Sequence, residues 1–337
     1  MQNFDIKNII DKDFINNFFN SPVFQKALFD KQEAQKISVL EIKTFKEFLE
    51  GPELISLVVR YTLSYAGKER EIFGVAHVTG LWKPIYQYLK HVYESGFNQG
   101  PVQVSKPLGY FDNINTLFYF SAPGEPLIKE IEKGQDNLEE IFQTVGSALG
   151  RLHQIPPQIA PQYNYEKEDK EEFLEYSLGS INNSRLEERK KQELRTVTQK
   201  IYQQEGRYLK NQSFTHGDFH PKNIIIGDKI YFIDFSAAHI FARESDVGDF
   251  LAQFSKGYFG FSQRKVLGEK RIEGLRQKFL SGYFEVINKD DYTVEAINLF
   301  EAKTIIKITI HVIRWEEATE DSAKMITRLL EATKEKL

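Results

Sequence analysis

Residues Phe214–Ser236 read FTHGDFHPKNIIIGDKIYFIDFS, and the rest of the chain is best read outward from them. NIII and IYFIDF are short β-branched and aromatic runs on either side of Gly227-Asp228-Lys229, the pattern of a β-hairpin. Asn223 begins the first strand and Asp234 ends the second, so the hairpin can bring their side chains near one another at one end of the ribbon. An amide carbonyl and a carboxylate there suit a hard cation such as Mg2+, which takes one or two protein groups and fills its shell with phosphates and water. Asp218 lies on a loop five residues before Asn223. The set fits phosphoryl transfer, in which a carboxylate orients the acceptor hydroxyl while metal-bound groups hold nucleotide phosphates. Asp and Asn are common turn residues, and a lone His216 or His220 is more often structural than catalytic. Asp, Asn and Asp gathered around one hairpin outweigh that reading. A zinc hydrolase built on His216, Asp218 and His220 is a third possibility, but it accounts for neither Asn223 nor the hairpin.

Upstream, KISVLEI, ISLVVRYTLSY and REIFGVAHV read as strands of a small antiparallel sheet, with AGK as the turn between the last two. Pro84–Tyr93 reads as a helix, and PLGYF and TLFYF as further strands. The first 35 residues space Phe14, Phe18, Phe19, Phe24, Leu28 and Phe29 as short helices with one buried face. Downstream of SAPGEPL the texture is helical. Asp136 is the expected N-cap of a helix through Leu138, Phe142, Val145, Leu149 and Leu152, stopped by Pro156 and Pro157. Ile305–Trp315 fits both periods, and its context favours helix.

Composition sets the bounds. In 337 residues, 44 Lys+Arg against 48 Asp+Glu give a net charge of -4, with 41% hydrophobic and 13% aromatic residues, enough for a substantial core. Such a balance offers no long-range attraction to nucleic acid. No run reaches the length of a membrane helix, and cytoplasm is the expected compartment. With no cysteine, thiolate chemistry is excluded and any metal must be held by oxygen or imidazole.

THGDFHPKN followed by YFIDFS resembles the catalytic loop and metal segment of the aminoglycoside phosphotransferase and choline kinase group, relatives of the protein kinases. VGSALGRLHQI is similar to the helix crossing the helical lobe of that family, LFYFSAPGEPL to its interlobe hinge, and DVGDFLAQF to the helix after the metal segment. The resemblance implies an α+β, protein-kinase-like bilobal fold. Residues 1–120 would form the nucleotide-binding lobe, with 1–35 a helical extension, and 121–337 the lobe carrying the catalytic loop and substrate-binding helices. It implies ATP (or GTP) and Mg2+ as cofactors, a small-molecule hydroxyl as acceptor, Asp218 as catalytic base, and Asn223 and Asp234 as metal ligands. His153 is expected to be a structural residue bonded to the catalytic loop.

One departure matters. The family carries a lysine on the third strand that contacts phosphates and pairs with a glutamate on the next helix, and the alignment puts Val75 and Gln87 there. Losing both partners leaves no buried orphan charge. His77 or Lys68 could replace the cation; otherwise the chain is a catalytically impaired, pseudokinase-like binding protein. Two softer features are expected to be structural. Tyr258, Phe259 and Phe261 read as core, and Glu316, Glu317, Glu320 and Asp321 as a solvated face rather than an attractor of cationic substrates.

Overall fold

The computed structural model describes residues 4–29, 35–156, 167–210, 212–255, 258–315 and 320–337; at 167–170, 258–265, 315, 320, 321 and 323 it describes the backbone alone. The residues of the Tyr258 aromatic group and of the Glu316 acidic run thus lie outside the described side chains.

Two compact units emerge, Met1–Pro123 with Tyr231–Ser236, and Gly124–Ile230 with Ala237–Leu337. In the first, α1 (Lys12–Phe19) and α2 (Pro22–Phe29) precede β1 (Ser38–Glu50), β2 (Glu53–Tyr65) and β3 (Lys68–His77). Next come α3 (Trp82–Val92), β4 (Val102–Val104), β5 (Pro107–Phe111) and β6 (Thr116–Phe120). The main sheet is antiparallel, in the order β1-β2-β3-β6-β5. Ala66 and Gly67 join β2 to β3 with φ of 52° and 70°, the left-handed pair that matches strand twist in a two-residue hairpin.

Strand alternation divides this sheet into two faces. Leu57, Val59, Tyr61, Leu63, Ile72 and Ala76 form one, a core shared with Phe18, Phe19 and Phe24 of the N-terminal helices. Phe19 meets Tyr61 edge-on at 5.2 Å, and the Tyr61 hydroxyl donates to the Ile9 carbonyl at 2.7 Å. Asn20 pins the start of β1, accepting from the Ile37 N–H at 2.9 Å and donating to its carbonyl at 2.8 Å. These helices are therefore built into the sheet's core, where each fully buried phenylalanine contributes roughly 1.5–3 kcal/mol. The other face carries Val58, Arg60, Glu71, Phe73, Val75 and His77, as the register of directly opposed pairs requires.

The second unit holds β7 (Glu125–Pro126), α4 (Leu127–Lys133), α5 (Leu138–His153), α6 (Lys167–Asn182), α7 (Glu188–Glu205), β8 (Gln212–Thr215) and β9 (Ile224–Ile226). β10 (Ile230–Phe232) follows the turn and crosses the unit boundary; then come β11 (His239–Ala242), α8 (Glu244–Ser255), α9 (Tyr258–Phe284), α10 (Asp291–Trp315) and α11 (Glu320–Lys334). Ile305–Trp315 is helical, as context predicts: Ile305 and Ile308 pack against α8 and α11, and Ile306 and Ile310 against α6 and α7. The N-cap of α5 is Asn137 rather than Asp136, with no side-chain cap bond. Tertiary packing fixes that helix instead. A Cβ on Gly146 would stand 2.0 Å from the Phe279 carbonyl oxygen of α9, and one on Gly282 would stand 1.9 Å from that of Gln143, so the helices touch through backbone.

Candidate active site

The loop between β8 and β9 carries His216, Gly217, Asp218, His220 and Asn223. Gly217 has φ +80°, and a Cβ there would lie 2.0 Å from the Ala237 carbonyl oxygen; only glycine meets both demands. From below, the loop is held by Asp246 of α8, which is fully buried. Its Oδ2 accepts the His216 N–H at 2.7 Å and its Oδ1 the Gly217 N–H at 2.9 Å. Oδ2 also bonds His153 Nε2 at 3.0 Å, and His153 Nδ1 bonds the Tyr283 hydroxyl at 3.1 Å. His153 therefore reaches the catalytic loop through Asp246 rather than directly. Burial works against the Asp246 carboxylate, but the hydrogen bond and charge of His153, with the help of His216, prevail and hold its pKa below the usual range.

Two residues on, the Asp218 side chain is 51% exposed. Buried Asn223 donates through Nδ2 to the Asp218 backbone carbonyl at 3.0 Å and to Oδ2 at 3.3 Å. With Nδ2 so engaged, Asn223 keeps Oδ1 as an acceptor. His220 Nδ1 accepts the Lys222 N–H at 3.2 Å, so a neutral ring carries its proton on Nε2, which lies 3.4 Å from Asp218 Oδ2. Desolvation opposes ionisation of Asp218, yet His220, His216 and Asn223 together hold its pKa below normal. At neutral pH it is a carboxylate, the form that accepts a hydrogen bond from a hydroxyl. Asp249, one α8 turn beyond Asp246, shows the opposite balance. Burial raises its pKa, against Lys307 and the Thr304 hydroxyl that bonds it, and the charges of Asp246 and Asp218 add to the rise.

Asp234 falls in the first unit and Asp218 and Asn223 in the second. Asp234 has φ +62°, a left-handed conformation that Asp tolerates better than most residues. Its Oδ1 accepts from the Ser236 hydroxyl at 2.6 Å, and its side chain is exposed. Its charge helps burial push the Tyr119 hydroxyl of β6 far up.

Val75, aligned with the family's lysine, sits on β3 between Val58 and Leu117, 4% exposed. Gln87 is exposed on α3, whose buried residues are Tyr88, Leu89 and Val92. His77 Nδ1 accepts from the Thr79 N–H at 3.1 Å, and burial lowers its pKa. Lys68 opens β3, seven residues from Val75, or about 23 Å along a strand. Lys68 is therefore remote from Val75. Among the described residues, no cluster of three or more His, Asp or Glu is arranged to hold a metal, and no helix is long and apolar enough to cross a membrane.

Sequence reasoning passed over Asp246. The one available signal was its place in DVGDFLAQF, since its partners are 30 and 93 residues away.

Comparison with known proteins places this geometry. A choline kinase from Cryptosporidium parvum superposes with a TM-score of 0.57 at 14% identity, covering 96% of this chain and 95% of its own. A spectinomycin phosphotransferase solved with ADP and spectinomycin gives 0.56 at 14%, covering 94% of this chain and 100% of its own. An amicoumacin kinase solved with AMP-PNP and Ca2+ gives 0.55 at 16%, with 86% and 88% covered. Identities this low establish the fold, a protein-kinase-like α+β architecture. No curated protein sequence matches the chain. The sequence profile of the phosphotransferase enzyme family matches residues 83–284, a span that includes the whole candidate loop and most of the chain, and the chain belongs to that family.

Proposed function

We propose that this phosphotransferase moves the γ-phosphoryl group of ATP (or GTP) to a hydroxyl of a small molecule of aminoglycoside, choline or sugar-like kind. The observation that carries the reading is the Asp218 carboxylate. It is half-exposed and held ionised, on a loop whose backbone is clamped by a buried aspartate. Asp218 accepts the hydrogen bond of the acceptor hydroxyl, orients its oxygen for in-line attack and receives its proton as the new bond to the γ-phosphorus forms and the bond from that phosphorus to the β,γ-bridging oxygen breaks, releasing the nucleoside diphosphate. Asn223 positions Asp218 through Nδ2 and, with Oδ1, would join the Asp234 carboxylate in holding Mg2+. These are hard oxygen donors of the kind this ion takes, with phosphate and water completing its shell. The ion, when bound, neutralises charge on the phosphates. Residues 1–120 are assigned to nucleotide binding and 121–337 to catalysis and acceptor binding. The nucleotides in the spectinomycin and amicoumacin enzymes, and the Ca2+ in the latter, support a nucleotide with a divalent cation.

A second reading, a catalytically impaired, pseudokinase-like binding protein lacking the usual lysine–glutamate pair, is favoured by Val75 and Gln87. Thermal denaturation with and without Mg2+ and ATP or GTP separates binding from its absence, since a ligand of the native state alone raises Tm by mass action. A magnesium-dependent rise that disappears in Asp234→Asn is expected. No rise with either nucleotide would overturn the proposal. Acceptor-dependent ADP release, lost in Asp218→Ala, then separates enzyme from scaffold.

A further inference from the structure

The register of the first sheet places cations around Val75 that the neighbouring strands supply. On the face opposite the N-terminal helices, Arg60 of β2 stands directly across from Phe73, and Lys43 of β1 stands across from Arg60. Lys46 is across from Val58, which is itself across from Val75. Arg60 is thus a diagonal neighbour of both Glu71 and Val75 on one face, about 7–8 Å away in such a ladder. Its Nη1 is 3.4 Å from Glu71 Oε1, with side chains 29% and 41% exposed. Nε is buried without a hydrogen-bond partner. On the other side of Phe73, Tyr119 stacks at 5.8 Å. One row therefore runs from Lys43 through Arg60 and Phe73 to Tyr119.

We propose that Arg60, flanked by Lys43 and Lys46, supplies the phosphate-gripping cation that Val75 cannot, with Glu71 as its carboxylate partner. This rests on the nucleotide reading above. A guanidinium suits that role because its planar fork takes phosphate oxygens two at a time, and it stays charged whatever its surroundings. Glu71 engages one edge, so the remaining N–H groups of the guanidinium are left for an incoming anion. The arrangement explains how an apolar Val75 is tolerated in a phosphotransferase. A cross-strand pair, exposed enough to be hydrated, replaces a pair that would have to be buried.

The simple alternative is that Arg60 and Glu71 only brace the sheet, and the experiment separates the two. Calorimetric titration of the full chain with MgATP and with adenosine is carried out on wild type, Arg60→Ala, Arg60→Lys and Arg60→Ala/Val75→Lys, with unliganded Tm as the folding control. A phosphate grip predicts that Arg60→Ala weakens MgATP by about 10–100-fold, the scale of a charge-assisted bond, while adenosine affinity is kept. Arg60→Lys should recover part of the loss, and Val75→Lys should recover it by returning a cation to the neighbouring strand. MgATP affinity in Arg60→Ala within about twofold of wild type, or parallel losses for ATP and adenosine, would overturn the proposal while leaving the nucleotide reading intact. Wild type that binds neither MgATP nor MgGTP overturns both.

Discussion

The candidate catalytic loop of the second unit and the Arg60 face of the first unit's sheet both concentrate charge, and they are built in opposite ways. In the loop a single carboxylate, Asp246, is fully buried and engages two backbone N–H groups and an imidazole. On the sheet face, Arg60 and Glu71 meet at 3.4 Å, both partly exposed, with Nε unengaged. Fully satisfied buried polar groups admit one arrangement, because losing any member strands the others away from water. Exposed cross-strand positions are interchangeable, because any residue on the right face of the ladder reaches the same space. A charge on the sheet face can therefore be moved between strands, but the buried carboxylate that shapes the loop cannot be moved.

The largest effect that would sharpen this comparison is on turnover. Asp218→Ala is expected to lower kcat by about 10²–10⁴, the range for a lost general base, with little change in Tm because the side chain is half in water. Retained turnover would remove Asp218 from the chemistry. Asp246→Ala is the structural counterpart, expected to cost about 3–5 kcal/mol in urea denaturation, as when one partner of a buried ionic network is removed. A loss near that of an exposed residue would break the contrast between the two regions. Gly146→Ala should cost about 1–3 kcal/mol by forcing α5 and α9 apart.

The pH dependence has a defined sign. Asp246 and Asp218 have folded pKa values below their unfolded ones. The stability they add is present above the unfolded carboxylate pKa of about 3.9 and is lost as pH falls through the depressed folded values. Asp246→Asn should thus flatten the acid limb of a stability profile below about pH 4. A parallel profile would show that Asp246 has no depressed pKa. Gln87→Glu marks the lower end, within about 0.5 kcal/mol of wild type, as for other surface changes. A large stabilisation would mean that α3 is coupled to the sheet face after all.

The catalytic loop was legible because its residues are contiguous. HGDFHPKN places Gly217, Asp218, His220 and Asn223 on one short loop, and the geometry that joins them closes within six positions. The strands and α5 were legible from periodicity, though the cap of α5 was not: Asp136 has the right chemistry for an N-cap, and close backbone packing made a cap unnecessary. The buttress was hidden because His153, His216, Asp246 and Tyr283 meet only when three helices and a loop have packed. Arg60 was hidden for a similar reason, since a one-residue change of register would turn it to the other face.

What the sequence by itself determined, then, is the family, the mixed class of the fold and the local order of the loop, because hydrophobic period and turn chemistry act between near neighbours. Only the tertiary structure decided which charges share a face, which of them are buried and which polar atom is left unengaged. Those depend on strand register and helix contact, where residues distant along the chain exclude water from one another.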